Sequence, residues 1–220
     1  MARRKNQAAR REQLLAAARR AIVDQGLAEV RVRDIAEQAG MAPGSITYYY
    51  PELEELFREV FHDAVERFAN GRRRAVAGLT DSRARLVTVI RSGLPSGADD
   101  EICCLLYEFS PQARRNRVDA SLRTTLYERQ VALYESILLT GAAVSSFDLA
   151  QPASEVAHNL VALEDAYGYH VVTGTSVTRE QAERLLLGYA STVTRCDLDA
   201  YEQQAAAVLA RSSRPVAVVQ

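Results

Sequence analysis

The chain has 220 residues, of which 48% are hydrophobic, and a formal net charge of −1. This apolar content excludes a disordered chain and is enough for one or two compact domains. No run approaches the roughly 18 apolar residues that span a bilayer, and no apolar region follows the basic N-terminus, so a secretory signal is excluded. Three cysteines without CxxC spacing (Cys103, Cys104 and Cys196) favour a reducing, cytoplasmic location.

The small net charge hides an uneven distribution. Residues 1–20 carry seven basic side chains and one acidic side chain, Glu12, whereas residues 51–220 carry 18 arginines against 23 acidic residues. A basic end on an acidic body favours contact with a polyanion at that end only. The alternative is a solvated, mobile tail. The basic arm consists of Arg3, Arg4, Lys5, Arg10 and Arg11.

The first predicted helix covers residues 7–25. Leu14, Ala18 and Ile22 recur at helical spacing and mark its buried stripe. Gly26 follows and is expected to end the helix.

Residues 32–49 contain two short predicted helices separated by a glycine. Ile35, Ala36 and Ala39 give the first helix a small apolar face, and Gly40 follows at once. Glycine takes the left-handed conformation that ends a helix at the lowest cost. Pro43 suits the first turn of a new helix because it lacks the N–H that would have no partner there. Two helices joined by such a turn make a helix-turn-helix, whose second helix enters the major groove of DNA.

DNA contacts are predicted on both sides of this turn. Of the predicted contact residues, Thr47 and Pro43 are expected to face base edges, and the rest are expected to lie against phosphates. Arg33 has the alternative of serving only as a salt-bridge partner on its own helix. The predicted contact residues are Arg10, Arg11, Arg31, Arg33, Pro43, Gly44, Ser45, Thr47, Tyr48 and Tyr49.

The rest of the chain shows helical spacing and no strand-period segment of useful length. We therefore predict an all-α protein, with residues 1–50 as a three-helix DNA-binding domain and residues 51–220 as a helical bundle. The predicted helices cover about residues 52–78, 82–94, 99–110, 117–140, 152–173, 179–196 and 197–210. Thr178 and Gln181 are expected to form a capping box at the start of the helix at 179–196.

The N-terminal quarter of the chain resembles the TetR family of transcriptional regulators. The matching residues are Leu14, Leu15, Ala17, Ala18, Gly26, Val32-Arg33-Asp34-Ile35-Ala36, Ala39-Gly40, Gly44-Ser45-Ile46, Tyr48-Tyr49-Tyr50 and Glu54-Glu55-Leu56. The resemblance implies an all-helical homodimeric repressor that leaves its operator when a small ligand binds the C-terminal domain. Four residues depart from the family pattern, namely Arg31, Ala42, Thr47 and Leu53. The first two stand where a capping Thr and Ser are usual.

Glu164 lies on an otherwise apolar helical line, where an unpaired carboxylate costs several kcal/mol. One interpretation is an internal ion pair with Arg91 or Arg129, or a polar dimer contact. The other is that Glu164 faces a cavity and binds a ligand's cation or donor. Tyrosines in neighbouring helices are either core or the polar anchors of such a pocket. The predicted ligand-binding residues are Arg91, Tyr107, Tyr127, Tyr134, Glu164 and Tyr167.

The segment Leu163-Glu164-Asp165, followed by the small residue Ala166, resembles a pattern in the TetR branch that includes choline-responsive regulators. A small-molecule effector is what this resemblance implies. No cofactor or metal is expected.

Dimerisation is predicted to use the last two long helices of each subunit as a four-helix bundle. The alternative is that these faces are buried within one monomer. A two-fold dimer would place two recognition helices about 34 Å apart, on successive major grooves of a palindrome. The predicted dimer residues are Ala162, Tyr169, Val172, Leu185, Leu186, Tyr189 and Val193.

Enzymatic chemistry has little support in the sequence. The histidines His62, His158 and His170 show no metal-ligand spacing, and no nucleophile or phosphate-binding motif occurs. The sequence therefore predicts a ligand-responsive repressor that binds double-stranded DNA as a homodimer. The alternatives are an activator or effector-independent regulator and, less favoured, a helical scaffold.

Overall fold

The computed structural model describes residues 2–201, with side chains from residue 7 onward. Within this range every regular element is helical, which confirms the all-α prediction. The basic side chains of Arg3, Arg4 and Lys5 and the predicted tail helix beyond residue 201 lie outside the described part. The helices are α1 (Ala2–Gln25), α2 (Val32–Ala39), α3 (Pro43–Tyr49), α4 (Leu53–Ala77), α5 (Ser82–Gly93), α6 (Glu101–Phe109), α7 (Arg117–Ala143), α8 (Ala153–Thr173) and α9 (Arg179–Thr194), with a 3-10 helix at Ser110–Arg114.

Several helix ends have the local cause that the sequence indicates. Gly26 takes a φ of 82° after α1. Thr178 and Gln181 form the predicted capping box before α9, since each side chain accepts a hydrogen bond from the other's backbone N–H.

The C-terminal end of α7 differs from the prediction. The sequence predicts an end near Gly141, but the helix continues to Ala143. Gly141 is buried within the helix, and a Cβ there would lie 2.1 Å from the ring of Phe147. The glycine therefore allows an aromatic ring to pack against the helix backbone and does not end the helix.

The chain divides into two compact units. The first unit comprises Met1–Gly71, Pro95–Arg129 and Val171–Thr175. Its core joins the three N-terminal helices to α4 and α6, and Leu14, Ile46 and Phe61 are fully buried. Phe61 stacks on Phe109 with 4.9 Å between ring centroids. The helix-turn-helix is thus held by an apolar core that includes more than its own three helices.

A carboxylate fixes the loop between α1 and α2 inside this unit. The backbone N–H of Leu27 donates to Oε2 of Glu108 at 2.8 Å. The chain reaches this contact directly after the left-handed turn at Gly26, against which the same carboxylate packs. The contact positions the segment that leads into α2.

The second unit comprises Arg72–Leu94, Gln130–His170 and Ser176–Gln220. Leu86, Ile90 and Ile137 are fully buried in it, together with Leu160 and Leu186. Among the described residues, no helix is both long and apolar enough to cross a bilayer. The predicted functional boundary after residue 50 stays a prediction.

Candidate functional site

The turn between α2 and α3 has the geometry of a helix-turn-helix. Gly40 takes a φ of 63° and a ψ of 38°, and the backbone N–H of Met41 donates to the carbonyl of Ala36 at 2.9 Å. Pro43 is the first residue of α3. Ile46 is fully buried and fixes α3 to the core, so the opposite face of this helix points outward.

The outward face of α3 carries residues that the sequence predicts to contact DNA. Thr47 is exposed, and Tyr48 is 70% exposed. Ser45 and Tyr49 are half-buried. The hydroxyl of Thr47 donates only to the carbonyl of Gly44, at 3.2 Å, so its methyl group and its hydroxyl lone pairs remain accessible. A short helix with a buried anchor and exposed hydroxyl groups can enter a major groove.

The arginines around this face differ in how far they are engaged. Arg10 is exposed and contacts Gln13. Arg33 is 84% exposed in its side chain, although Asp34 lies 3.5 Å away. Arg31 turns back and donates to the carbonyl of Ala28 at 2.9 Å. Arg33 and Arg10 are therefore the cations most available to phosphate.

Arg11 is predicted from the sequence to contact DNA, but the structure gives it partners within the protein. Its guanidinium forms an ion pair with Glu59 and lies 4.7 Å from the centre of the Tyr50 ring. The Tyr50 hydroxyl donates to the other oxygen of Glu59 at 2.7 Å. Burial, followed by the contact with Glu59, raises the pKa of Tyr50 to about 12. These three residues hold the end of α3 against α1 and α4.

The departures from the family pattern have identifiable structural consequences. Asp34 accepts a hydrogen bond from the backbone N–H of Arg31 at 2.8 Å, so the start of α2 is capped from within the helix. Ala42 gives α3 no side-chain cap. Leu53 packs against the apolar core of the first unit. Of the two expected cap losses, the one at Arg31 is thus partly offset by Asp34.

Glu164 has a buried partner that sequence reasoning missed. The expected partners are Arg91 and Arg129, but Nη2 of Arg72 lies 2.8 Å from Oε1 of Glu164, and both side chains are 2% exposed. Arg91 instead pairs with Glu183. Arg129 pairs with Glu66. The prediction of an ion pair is correct in kind and wrong in partner, because Arg72 belongs to the run Arg72-Arg73-Arg74, which is typical of a solvated surface.

Two more side chains complete this buried cluster, which we define as Arg72, Gln130, Tyr134 and Glu164. Tyr134 donates to Glu164, and Arg72 donates to Gln130 and to the carbonyl of Val89. Burial raises the pKa of Glu164 to about 7, although the Arg72 guanidinium opposes this rise. Oε2 of Glu164 is buried and accepts no hydrogen bond from the described residues.

The six residues predicted to line a ligand pocket are only partly brought together. Tyr134 and Glu164 are in direct contact in the second unit. Arg91 is bound by Glu183 at the surface and does not meet Glu164. Tyr107 and Tyr127 belong to the first unit, and Tyr167 is half-buried in the second. A common pocket for all six stays a prediction.

The predicted dimer face requires a correction. Leu186 and Val193 are buried inside the second unit, with 0% and 5% exposure, and are not available to another subunit. Leu185 and Tyr169 are exposed, at 50% and 54%. Val172 and Tyr189 are half-buried and Ala162 is exposed. The apolar spacing correctly indicates that these helices are amphipathic. It does not show which apolar residues of α9 face outward, because α9 is apolar over more than one face.

Reactive groups do not converge in the described part of the chain. No group of three His, Cys, Asp or Glu residues there is placed to hold a metal ion. The thiol of Cys104 donates to the carbonyl of Ala98, and burial raises its pKa, which is the opposite of an activated nucleophile.

The first part of the chain matches a known family. Residues 14–60 match the sequence model of the bacterial regulatory proteins of the tetR family. The HTH-type transcriptional repressor KstR2 of Mycolicibacterium smegmatis is 37% identical over 59 residues, which are 27% of this chain. The match spans 29% of that repressor's length.

Solved structures are similar over most of the chain. A protein from Saccharomonospora viridis, described as a transcriptional regulator in complex with choline, is 25% identical with a TM-score of 0.74; the alignment covers 80% of this chain and 92% of that one. TetR regulators from Rhodococcus sp. and Haloarcula marismortui are each 20% identical, with TM-scores of 0.72 and 0.74. Both alignments cover 84% of this chain and 98% of the other.

The Rhodococcus sp. and Haloarcula marismortui structures show a shared fold only. The match at residues 14–60 is one of sequence, and it includes the turn at Gly40 and helix α3. A match in sequence at the helix-turn-helix and a match in fold beyond it lead to the same family. The chain belongs to the TetR family of transcriptional regulators.

Proposed function

We propose that the protein is a repressor that binds a palindromic operator as a homodimer and is released by a small molecule. The observation that carries the proposal is the exposed face of α3, where Thr47 and Tyr48 project from a helix fixed by buried Ile46. Thr47 and Pro43 would lie against base edges, since a methyl group contacts thymine and a hydroxyl bonds to either type of base edge. A regulator of this kind acts where the chromosome is, so a cytoplasmic location follows from the proposal.

Sequence-independent affinity would come from the exposed arginines. Arg33 and Arg10 are the accessible cations among the described residues of this surface, and the basic side chains before residue 7 add to them. Each phosphate that is neutralised releases counterions, so binding weakens steeply as salt rises.

The dimer is proposed to form through the outward faces of α8 and α9. Ala162, Ala166 and Tyr169 are exposed on α8, and Leu185 and Gly188 are exposed on α9. Small residues beside exposed large apolar ones allow helices from two subunits to approach closely and bury area. Two copies of α3 would then read successive major grooves.

Release by a small molecule is supported by similarity alone. The Saccharomonospora viridis protein is described in complex with choline, and its sequence is 25% identical to this chain. In this chain, however, Glu164 is already paired with Arg72. The buried cluster therefore serves primarily to stabilise the second unit, and a cationic effector would have to displace an internal guanidinium to reach Glu164.

Two measurements on the full chain test the proposal. Light scattering should give twice the chain mass, and Leu185→Glu should convert the dimer to monomer, because it places a charge in the apolar contact. Binding to the DNA upstream of the protein's own gene should be tight and fall steeply between about 50 and 200 mM salt. Arg33→Gln should weaken binding and reduce the salt slope by about 1, whereas Arg73→Gln, an exposed arginine of the second unit, should not. A chain that stays monomeric, or that binds all DNA equally weakly, would refute the proposal.

A further inference from the structure

A small cavity lies in the first unit beside the loop that leads into the helix-turn-helix. Its volume is about 210 Å³, and its apolar walls are Leu27, Phe57 and Phe109. Since a water molecule takes about 30 Å³ of the liquid, the space corresponds to about seven water-sized groups. The polar lining comes from Glu54, Arg58, Gln112, Asn116 and Asp119.

Asp119 is a buried carboxylate that has no hydrogen-bond or ion-pair partner in the described part of the protein. It is 8% exposed, and it takes part in no hydrogen bond or ion pair of the described residues. Its place in the first turn of α7 is favourable to a negative charge. Burial nevertheless raises the pKa of Asp119, because the lost hydration is not replaced by a bonded donor.

Arg58 presents the opposite charge to the same cavity. Its Nε atom is buried and donates to no acceptor among the described residues. The guanidinium is close enough to act on the Asp119 carboxylate electrostatically, yet the two groups do not form an ion pair. A cation and an anion therefore line one small space without meeting in it.

We propose that this cavity binds a small zwitterion of the amino-acid type. The ammonium group would bond to Asp119 and the carboxylate to Arg58, and the methylene chain would lie against Phe57 and Phe109. Each end of such a ligand supplies the partner that a buried protein group lacks, which is the condition under which burying a charge becomes favourable. Glu54, which is exposed, adds a second carboxylate to the lining of the cavity.

The cavity borders the loop between α1 and α2. Leu27 forms part of its wall, and the backbone N–H of Leu27 is held by Glu108. A ligand in the cavity would thus touch the segment that positions α2. An effect of the ligand on DNA binding rests on the proposed repressor function. Binding of the ligand to the cavity does not, because it is measured without DNA.

The test is calorimetric titration of the full-length protein with glycine, β-alanine, γ-aminobutyrate and 5-aminovalerate, which differ in the distance between their charges. Butylamine and butyrate are controls that carry one charge each. We expect one member of the series to bind with one site per chain and at least about tenfold more tightly than either control, a difference of about 1.4 kcal/mol. Absence of binding by all four zwitterions, or equal binding of butylamine, would overturn the proposal.

Matched variants show where the ligand binds. Asp119→Asn should lower the affinity for the bound zwitterion by at least about tenfold, whereas Glu128→Gln, an exposed acid further along α7, should leave it within about twofold. Arg58→Gln should lower affinity for the same zwitterion and leave butylamine unaffected. Unchanged binding in Asp119→Asn with a normal melting curve would contradict the assignment. If wild-type protein binds DNA but no zwitterion, the site fails while the repressor proposal stands.

Discussion

Polar side chains have opposite environments in the helix-turn-helix and in the buried cluster. On α3 the hydroxyl groups of Thr47 and Tyr48 are exposed, and neither is tied to another helix. In the buried cluster Arg72 and Glu164 are 2% exposed and bonded to each other. A group that keeps its water can exchange it for DNA at little cost, whereas a desolvated charge is useful only while its partner remains. The exposed polar groups of α3 are thus available to a partner such as DNA, whereas those of the buried cluster are already paired inside the protein.

Removal of one partner from the buried cluster should give the largest effect. At about pH 8, where the Glu164 carboxyl is mostly ionised, Arg72→Met leaves this carboxylate without its cation, and we expect a loss of about 3–5 kcal/mol in the free energy of unfolding. Arg73→Met, at the exposed neighbouring position, should change it by less than about 0.5 kcal/mol. Chemical denaturation monitored by circular dichroism measures both.

A double variant separates pairing from packing. Combining Arg72→Met with Glu164→Leu removes both charges, and we expect it to recover at least half of the loss, since apolar replacements of buried pairs are often neutral or stabilising. A double variant no more stable than Arg72→Met alone would show that the cluster does not act through its charges.

A methyl group added at Gly93 should disturb the same cluster from the backbone side. Its Cβ would lie 2.0 Å from Oε1 of Glu164 and 2.8 Å from Nη2 of Arg72. We expect Gly93→Ala to lower the free energy of unfolding by about 1–3 kcal/mol, because a tightly packed pair must shift. Gly71→Ala has open space within 4 Å and lies inside α4, so it should be neutral or stabilising by up to about 1 kcal/mol. Equal effects of the two changes would contradict the packing argument.

The titration of Glu164 gives a pH-dependent test. Burial raises its pKa to about 7 in the folded protein, against about 4.3 in an unfolded chain. The folded state therefore holds this proton more tightly, and the contribution of Glu164 to stability is full below about pH 4 and is lost as the pH rises to about 7. The difference in free energy of unfolding between wild type and Glu164→Gln should fall over this range by at most about 1.4 kcal/mol per pH unit. A difference that stays flat or rises would mean that the carboxyl is ionised throughout.

The contact of Tyr50 with Glu59 should contribute least. Tyr50→Phe removes one hydrogen bond to a partly exposed carboxylate, and we expect a loss of about 1 kcal/mol in the free energy of unfolding. Tyr48→Phe removes a hydroxyl from an exposed ring and should be neutral. If Tyr48→Phe were the more destabilising change, the assignment of Tyr48 as an accessible recognition residue would be wrong.

The sequence predicts best where backbone chemistry decides. Gly40, Pro43 and the Thr178–Gln181 capping box follow from conformational preference and local hydrogen bonding, and all three have the expected roles. Contacts between residues distant in sequence are not predictable in this way. Arg72 and Glu164 are 92 positions apart, and nothing in either local pattern indicates the pairing.

Amphipathic spacing predicts the helices but not every face. Leu186 and Val193 follow the same apolar pattern as Leu185, yet they are buried and Leu185 is exposed. Asp119 and Arg58 are not recognisable as site residues from the sequence, because a charge near a helix start and a charge on a helix surface are both ordinary. Only the fold shows that they share a cavity.

The central claim, that the exposed face of α3 reads base sequence, is tested most directly by a specificity ratio. Affinities for the protein's own upstream DNA and for a scrambled duplex of equal length should be measured at one salt concentration. We expect Thr47→Ala to lower affinity for the upstream DNA by about 1–3 kcal/mol and to leave the scrambled duplex nearly unaffected, because Thr47 is the exposed side chain proposed to face base edges. Thr124→Ala is the control, because its hydroxyl is also exposed and bonded to its own helix. A variant that keeps the wild-type ratio, or loses affinity equally for both duplexes, would contradict the claim.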